Sequence, residues 1–206
     1  MATITKIETQ KKNKERVNIY IDGKFYKGIF AEIAFNQNLS EGMEIDKEKL
    51  EDILIQEEIS KAKEKALQIL NGRHQSENAL REKLYKREYD NKVIDQVIDY
   101  LKECNLINDE ELANSLTDTC LNVKKYGRRR IKDYLYNNKI KKSQIDNIFY
   151  SIDRKVEIEN AIELAENKTR NINTNDKNKL YQKLYRFLAY RGYEYDVIKT
   201  AIDSVL

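Results

Sequence analysis

His74 is the only histidine in the 206-residue chain, so the usual Ser-His-Asp, Cys-His and multi-histidine metal arrangements cannot be assembled. The two cysteines, Cys104 and Cys120, have neither the spacing nor the companions of a metal-ligand set. They are expected to be free, structural thiols. Carboxylates could still act as general acids or bases. Glu57-Glu58 and Glu110-Glu111, however, fall where a solvated helix face or a helix start is expected. The six glycines are scattered and form neither a phosphate-cradling loop nor a dinucleotide fingerprint. These residues predict a protein with no catalytic residue, no metal site and no cofactor, one that acts by binding.

The chemistry that remains is electrostatic. Between residues 124 and 142 the chain carries nine cations, Lys124, Lys125, Arg128, Arg129, Arg130, Lys132, Lys139, Lys141 and Lys142, against Asp133 alone. Two readings are open: a solvated basic face that keeps a helix soluble, or a patch that meets phosphates or an acidic protein surface. The candidate contact residues are Lys124, Lys125, Arg128, Arg129, Arg130 and Lys132. Ile131 and Leu135 define the buried face of their helix, which places Arg128, Arg129 and Lys132 on its exposed side. Residues 41–64 have the opposite balance, nine acids to four lysines, so charge is polarised along the chain although the net charge is only +3. A second feature with binding chemistry is Tyr181, Tyr185, Tyr190 and Tyr193 beside Lys183, Arg186 and Arg191. These rings could stack on bases, or line a helical core.

The elements that must position these residues repeat. Apolar side chains fall at Leu80, Leu84, Tyr89, Ile94, Ile98 and Leu101, again at Ile131, Leu135, Ile140, Ile145, Phe149 and Ile152, and a third time at Leu184, Leu188, Tyr193, Ile198, Ile202 and Val205. The offsets are identical in the three stretches. Each predicts a helix, a tight link and a second helix. A further helix precedes each pair, at residues 56–70, 109–125 and 154–169, so each unit has three helices. In the second, Asn108 and Glu111 form a capping pair for the first helix. Absence of proline fits long helices joined by Gly, Asn and Asp.

Residues 1–50 differ. Val17-Asn18-Ile19-Tyr20-Ile21 alternates, and Asp22-Gly23 supplies a hairpin turn, with a third strand expected over Ile4–Glu8. Helical spacing follows at residues 29–35. So small a sheet needs the following helices, or a partner, to cover its apolar face. The expected organisation is mainly α: residues 1–50 a β-hairpin with a short helix, 51–104 the first three-helix repeat, 105–152 the second and basic repeat, 153–206 the third. Stacked repeats predict an elongated, curved body suited to a polymer-like partner. No apolar run nears the roughly 18 residues of a membrane span, and the N-terminus lacks a secretory pattern, so a cytoplasmic location is expected.

Three stretches resemble the RecX family of regulators of the RecA recombinase. Arg73-His74-Gln75-Ser76 followed by Leu80, Lys83 and Leu84 is similar to its first-unit R-x-x-S and L-x-x-K-L segments. Leu106 to Ala113 resembles its second-unit start, with Asn108 where Asp is common and Leu112 where an aromatic is common. Gly127, Ile131, Leu135 and Ile140 match its G-x-x-x-I-x-x-x-L-x-x-x-x-I stretch. The resemblance spans about residues 55–206, and the hairpin start is also similar to the extended N-terminus of some members. It implies a non-enzymatic, monomeric protein that binds RecA filaments on single-stranded DNA and restrains ATP hydrolysis and strand exchange. It also implies single-stranded DNA as a second partner, with the basic middle unit as contact surface. The competing expectation is a helical-repeat protein that binds DNA or RNA phosphates directly.

Overall fold

The structure, a computed structural model, describes residues 2–174 and 176–206. Strands β1 (Ala2–Thr9), β2 (Arg16–Ile21), β3 (Lys24–Phe30) and β4 (Glu44–Ile45) form one antiparallel sheet in the order β3-β2-β1-β4. The hairpin turn lies at Asp22-Gly23, where both residues take positive φ (52° and 80°), as the Asp-Gly pair predicts. The sheet has one strand more than expected. A two-residue strand, β4, is too short to show alternation. Helix α1 (Ala31–Asn36) and the start of α2 (Lys47–Gly72) cover the sheet, and Ile4, Ile19, Ile29, Ile33 and Leu54 are fully buried between them.

The remaining helices are α3 (Glu77–Tyr85), α4 (Asn91–Glu103), α5 (Asp109–Asp118), α6 (Arg128–Asn137), α7 (Lys142–Ser151), α8 (Arg154–Arg170), α9 (Lys177–Tyr190) and α10 (Tyr195–Asp203). Helix α5 runs on into one π-helical turn, Thr119–Val123. The three-helix pattern is therefore α2-α3-α4, α5-α6-α7 and α8-α9-α10. Helix α2 begins well before the expected residue 56 because Asp46 caps it, its carboxylate accepting from the Glu48 N–H at 3.1 Å. Of the eighteen repeated apolar positions all are buried except Phe149 and Val205, which are half-buried. The chain divides into two compact units. One holds the sheet, α1, α2 and residues 80–106; the other holds residues 74–79 and 107–206.

The link between the second and third helix of each repeat has one construction. Glu88, Lys139 and Gly192 occupy the same offset, eight residues after Leu80, Ile131 and Leu184, and all three are left-handed (φ 65°, 62° and 89°). In the second and third repeats this residue closes a Schellman motif. Ile140 N–H donates to Leu135 O at 3.1 Å, and Tyr193 N–H to Leu188 O at 3.2 Å. The apolar residue after the left-handed one then packs back on its own helix, which explains the offset shared by Tyr89, Ile140 and Tyr193.

The first helix of each repeat carries an acid followed by two small residues at four-residue steps: Glu58-Ala62-Ala66, Asp109-Ala113-Thr117 and Glu157-Ala161-Ala165. Four residues is about one turn, so the three share a face and the small side chains allow close helix approach. In the second unit the acid caps a neighbouring helix. Asp109 accepts from the Glu77 N–H of α3 at 2.7 Å, and Glu157 accepts from the Arg128 N–H of α6 at 3.2 Å. Residues 77 and 128 are again equivalent positions, three before Leu80 and Ile131. Glu58, expected on a solvated face, is instead 2% exposed and lies 3.9 Å from Arg16. The neighbouring carboxylate Glu57 takes the outward side, where Gln37 donates to it at 3.2 Å.

Candidate partner-binding surface

Helix α6 is short and starts with three arginines, the wrong charge for the positive end of a helix dipole. Its free N–H groups are satisfied from outside: Gly127 N–H donates to Arg191 O at 3.0 Å, Arg129 N–H to Gly192 O at 3.1 Å, and Arg128 N–H to Glu157. The Glu157 carboxylate, 1% exposed, also accepts from Arg128 Nε at 3.0 Å and Arg154 at 3.2 Å. A buried anion between two guanidiniums offsets the adverse dipole and fixes how α6 meets α8.

Arg128 is thereby corrected from an exposed cation to an internal clamp. Besides Glu157, its guanidinium donates to Phe149 O at 3.3 Å and Ile152 O at 3.0 Å, satisfying carbonyls at the end of α7 that have no partner within that helix. The other candidates also divide. Lys125 pairs with Glu163 of α8. Lys124 lies 4.0 Å from the centroid of Tyr134, and its hydrogen bond to that tyrosine raises the ammonium pKa above its ordinary value. Arg130 sits between Tyr126 (4.6 Å) and Tyr190 (4.7 Å) and donates to Tyr190 O at 2.8 Å. Arg129 and Lys132 are exposed, and their side chains make no hydrogen bond or ion pair among the described residues. They stand three residues apart on one face of α6.

The loop before α6 is held by the third repeat. Arg191 donates to Lys124 O at 2.7 Å, and the Tyr193 hydroxyl to Lys125 O at 3.0 Å. Tyr193 is 2% exposed, and burial raises its phenol pKa. Of the tyrosine group in α9 and the following turn, Tyr181 and Tyr185 are half-buried, Tyr193 is core, and Tyr190 is 74% exposed with Arg130 against its ring.

Two clefts flank the free cations. One, of about 490 Å³, has Tyr126, Arg129, Arg130, Tyr134 and Tyr190 in its lining. The other, of about 500 Å³, is lined by Arg128, Arg129 and Lys132, by Asp146 and Glu194, and by Phe149 and Tyr150 as its apolar shelf. Tyr150 is 92% exposed, and periodicity did not single it out because it lies outside the six repeated apolar positions. Only its lack of a core partner, a tertiary fact, marks it. Among the described residues no helix is long and apolar enough to cross a membrane.

Family models for the RecX N-terminal domain, the first three-helix domain and the third three-helix domain match residues 2–46, 62–101 and 155–202. Regulatory protein RecX of Clostridioides difficile (strain 630) is 45% identical over 206 residues, covering 100% of this chain and 97% of that one. Its counterpart in Clostridium botulinum (strain Alaska E43 / Type E3) is 35% identical over 208 residues, with the same coverage of 100% and 97%. A crystal structure of regulatory protein RecX superposes with a TM-score of 0.67 at 27% identity, covering 98% of this chain and 100% of that one. RecX from Lactobacillus salivarius gives 0.67 at 25% identity, covering 72% and 96%. The resemblance read from the three motif stretches and the hairpin start holds over the whole chain, and the chain belongs to the RecX family of regulatory proteins.

Proposed function

We propose that this protein is a non-enzymatic, cytoplasmic regulator of homologous recombination and DNA repair that binds RecA filaments on single-stranded DNA and inhibits ATP hydrolysis and strand exchange. Membership of the RecX family supports the partner. The observation that carries the contact surface is the division of the basic run. Four of its candidate cations serve internal contacts, and Arg129 and Lys132 stand uncommitted near the positive end of α6. Two cations kept against a helix dipole with no internal partner suit an external anion.

The test is the single-stranded-DNA-dependent ATPase of the cognate RecA, titrated with the wild type and with the Arg129→Glu/Lys132→Glu variant. Inhibition at less than one copy per RecA, lost in the variant, supports the reading. Arg128 is left intact so that loss of folding does not imitate loss of binding. A second reading, direct binding of single-stranded nucleic acid, is favoured by the Tyr126-Arg130-Tyr190 stack, whose outer ring is exposed and available to a base. Binding to bare oligonucleotide at physiological salt that disappears in Tyr190→Ala, with no effect on the ATPase, would select it.

A further inference from the structure

The cleft between α6 and α7 carries both signs of charge. Besides the internally engaged Arg128, it is lined by the cations Arg129 and Lys132, the acids Asp146 and Glu194, and Phe149 and Tyr150, its apolar shelf. Glu194 is partly neutralised by Arg154 at 3.2 Å, whereas Asp146 makes no ion pair among the described residues. A phosphate backbone laid in this cleft would gain from Arg129 and Lys132, be repelled by Asp146, and leave the aromatic shelf without an apolar partner. A polypeptide can satisfy all three features at once. We infer that this cleft is a protein-docking site for a segment with an apolar side chain on the Tyr150-Phe149 shelf, a carboxylate toward Arg129 and Lys132, and a cation toward Asp146.

The inference rests on the regulatory reading above and narrows it: the grip at this cleft is on the protein of the filament, not on its DNA. An exposed aromatic beside charged groups of both signs is also how binding energy concentrates at protein interfaces, with the ring as anchor and the charges setting orientation. Asp146 makes the two partners separable, because its replacement by a cation has opposite consequences for them. Toward phosphate, Asp146→Lys removes a repulsion and adds an attraction. Toward a polypeptide that presents a cation there, it removes an attraction and adds a repulsion.

The experiment measures association of the full-length protein with cognate RecA filaments on single-stranded DNA, and separately with the bare oligonucleotide, at one salt concentration. Variants are Asp146→Lys, Tyr150→Ala and Arg129→Glu/Lys132→Glu, each shown to keep wild-type thermal unfolding. Expected for the filament is a weakening of at least tenfold in all three variants. Expected for bare oligonucleotide is a strengthening in Asp146→Lys and no change in Tyr150→Ala. Tighter filament binding by Asp146→Lys would overturn the inference in favour of phosphate. So would filament binding indifferent to all three changes, with the regulatory reading left standing. Failure of the wild type to bind the filament would remove both.

Discussion

Gly127 and Gly192 meet backbone to backbone. A Cβ on Gly127 would lie 2.4 Å from Tyr193 N and 2.5 Å from the Gly192 carbonyl, and a Cβ on Gly192 would lie 2.5 Å from Arg130 N. Gly127 has an ordinary extended φ of −76°, so its requirement is for space, whereas Gly192 needs both space and a left-handed backbone. This contact lets the turn after α9 supply the carbonyls that cap α6. Gly127→Ala is therefore expected to destabilise the second unit by about 1–3 kcal/mol through overpacking against unyielding backbone. Chemical denaturation read by circular dichroism would show it, and an unchanged midpoint would mean that the two turns separate freely.

The division between structural and free cations makes a second contrast. Arg128→Ala leaves Glu157 short of one of its two guanidiniums and leaves two α7 carbonyls without their donor. Breaking a buried pair of this kind costs about 3 kcal/mol. Arg129→Ala, at the adjacent position, removes an exposed side chain and should change stability by less than about 0.5 kcal/mol. Equal losses for the two would show that Arg128 is not the clamp its geometry indicates.

Spacing alone was enough to place the repeats, because a buried helical face must recur about every 3.6 residues and eighteen positions recurred with identical offsets. Leu84, Leu135 and Leu188 went to the core as expected. The basic run read as one patch because charge has no period. Which of its members are consumed internally depends on acids far along the chain, such as Glu157 and Glu163, and no local pattern reports them. The acid-small-small motif is present in the letters, but its acid stands 22 residues before the first repeated apolar position in the first two repeats (Glu58 to Leu80, Asp109 to Ile131) and 27 before it in the third (Glu157 to Leu184). The third copy is thus out of register with the other two, and a carboxylate on its own reads as a solvent-facing group, so the burial of Glu58 was not legible from its type.

The left-handed link gives a third prediction. Gly192 has the residue its φ requires, but Lys139 has the same conformation with a Cβ. L-residues other than Gly, Asn and Asp reach this region at a cost of about 1 kcal/mol. Lys139→Gly should relieve that strain and stabilise the second unit by about 0.5–1 kcal/mol, offset by the larger entropy of Gly in the unfolded chain. A rise in the unfolding midpoint would confirm that this link is set by backbone geometry and not by the lysine side chain. A fall would mean that interactions of Lys139 lost with its side chain contribute more than the strain costs.

The last prediction concerns Glu58 and pH. Burial disfavours its carboxylate and raises its pKa above 4.5, against the opposing pull of Arg16. A raised acid binds protons more strongly in the folded chain than in the unfolded one, so the folded state gains relative stability as pH falls. The gain begins at the folded-state pKa and is complete below 4.5, the unfolded value. Asp22 and Asp196 act in the opposite direction. Hydrogen bonds from the Thr3 N–H to Asp22 and from Arg154 to Asp196 lower both carboxyls below 3.8, so their contribution is retained down to that value and lost beneath it. Just above pH 4.5 Glu58 therefore acts without interference from those two. Glu58→Gln keeps the shape and removes the proton, and thermal unfolding of the variant should lose the rise that the wild type shows on acidification through this window. Identical pH profiles for wild type and variant would mean that Arg16 at 3.9 Å compensates the buried charge in full.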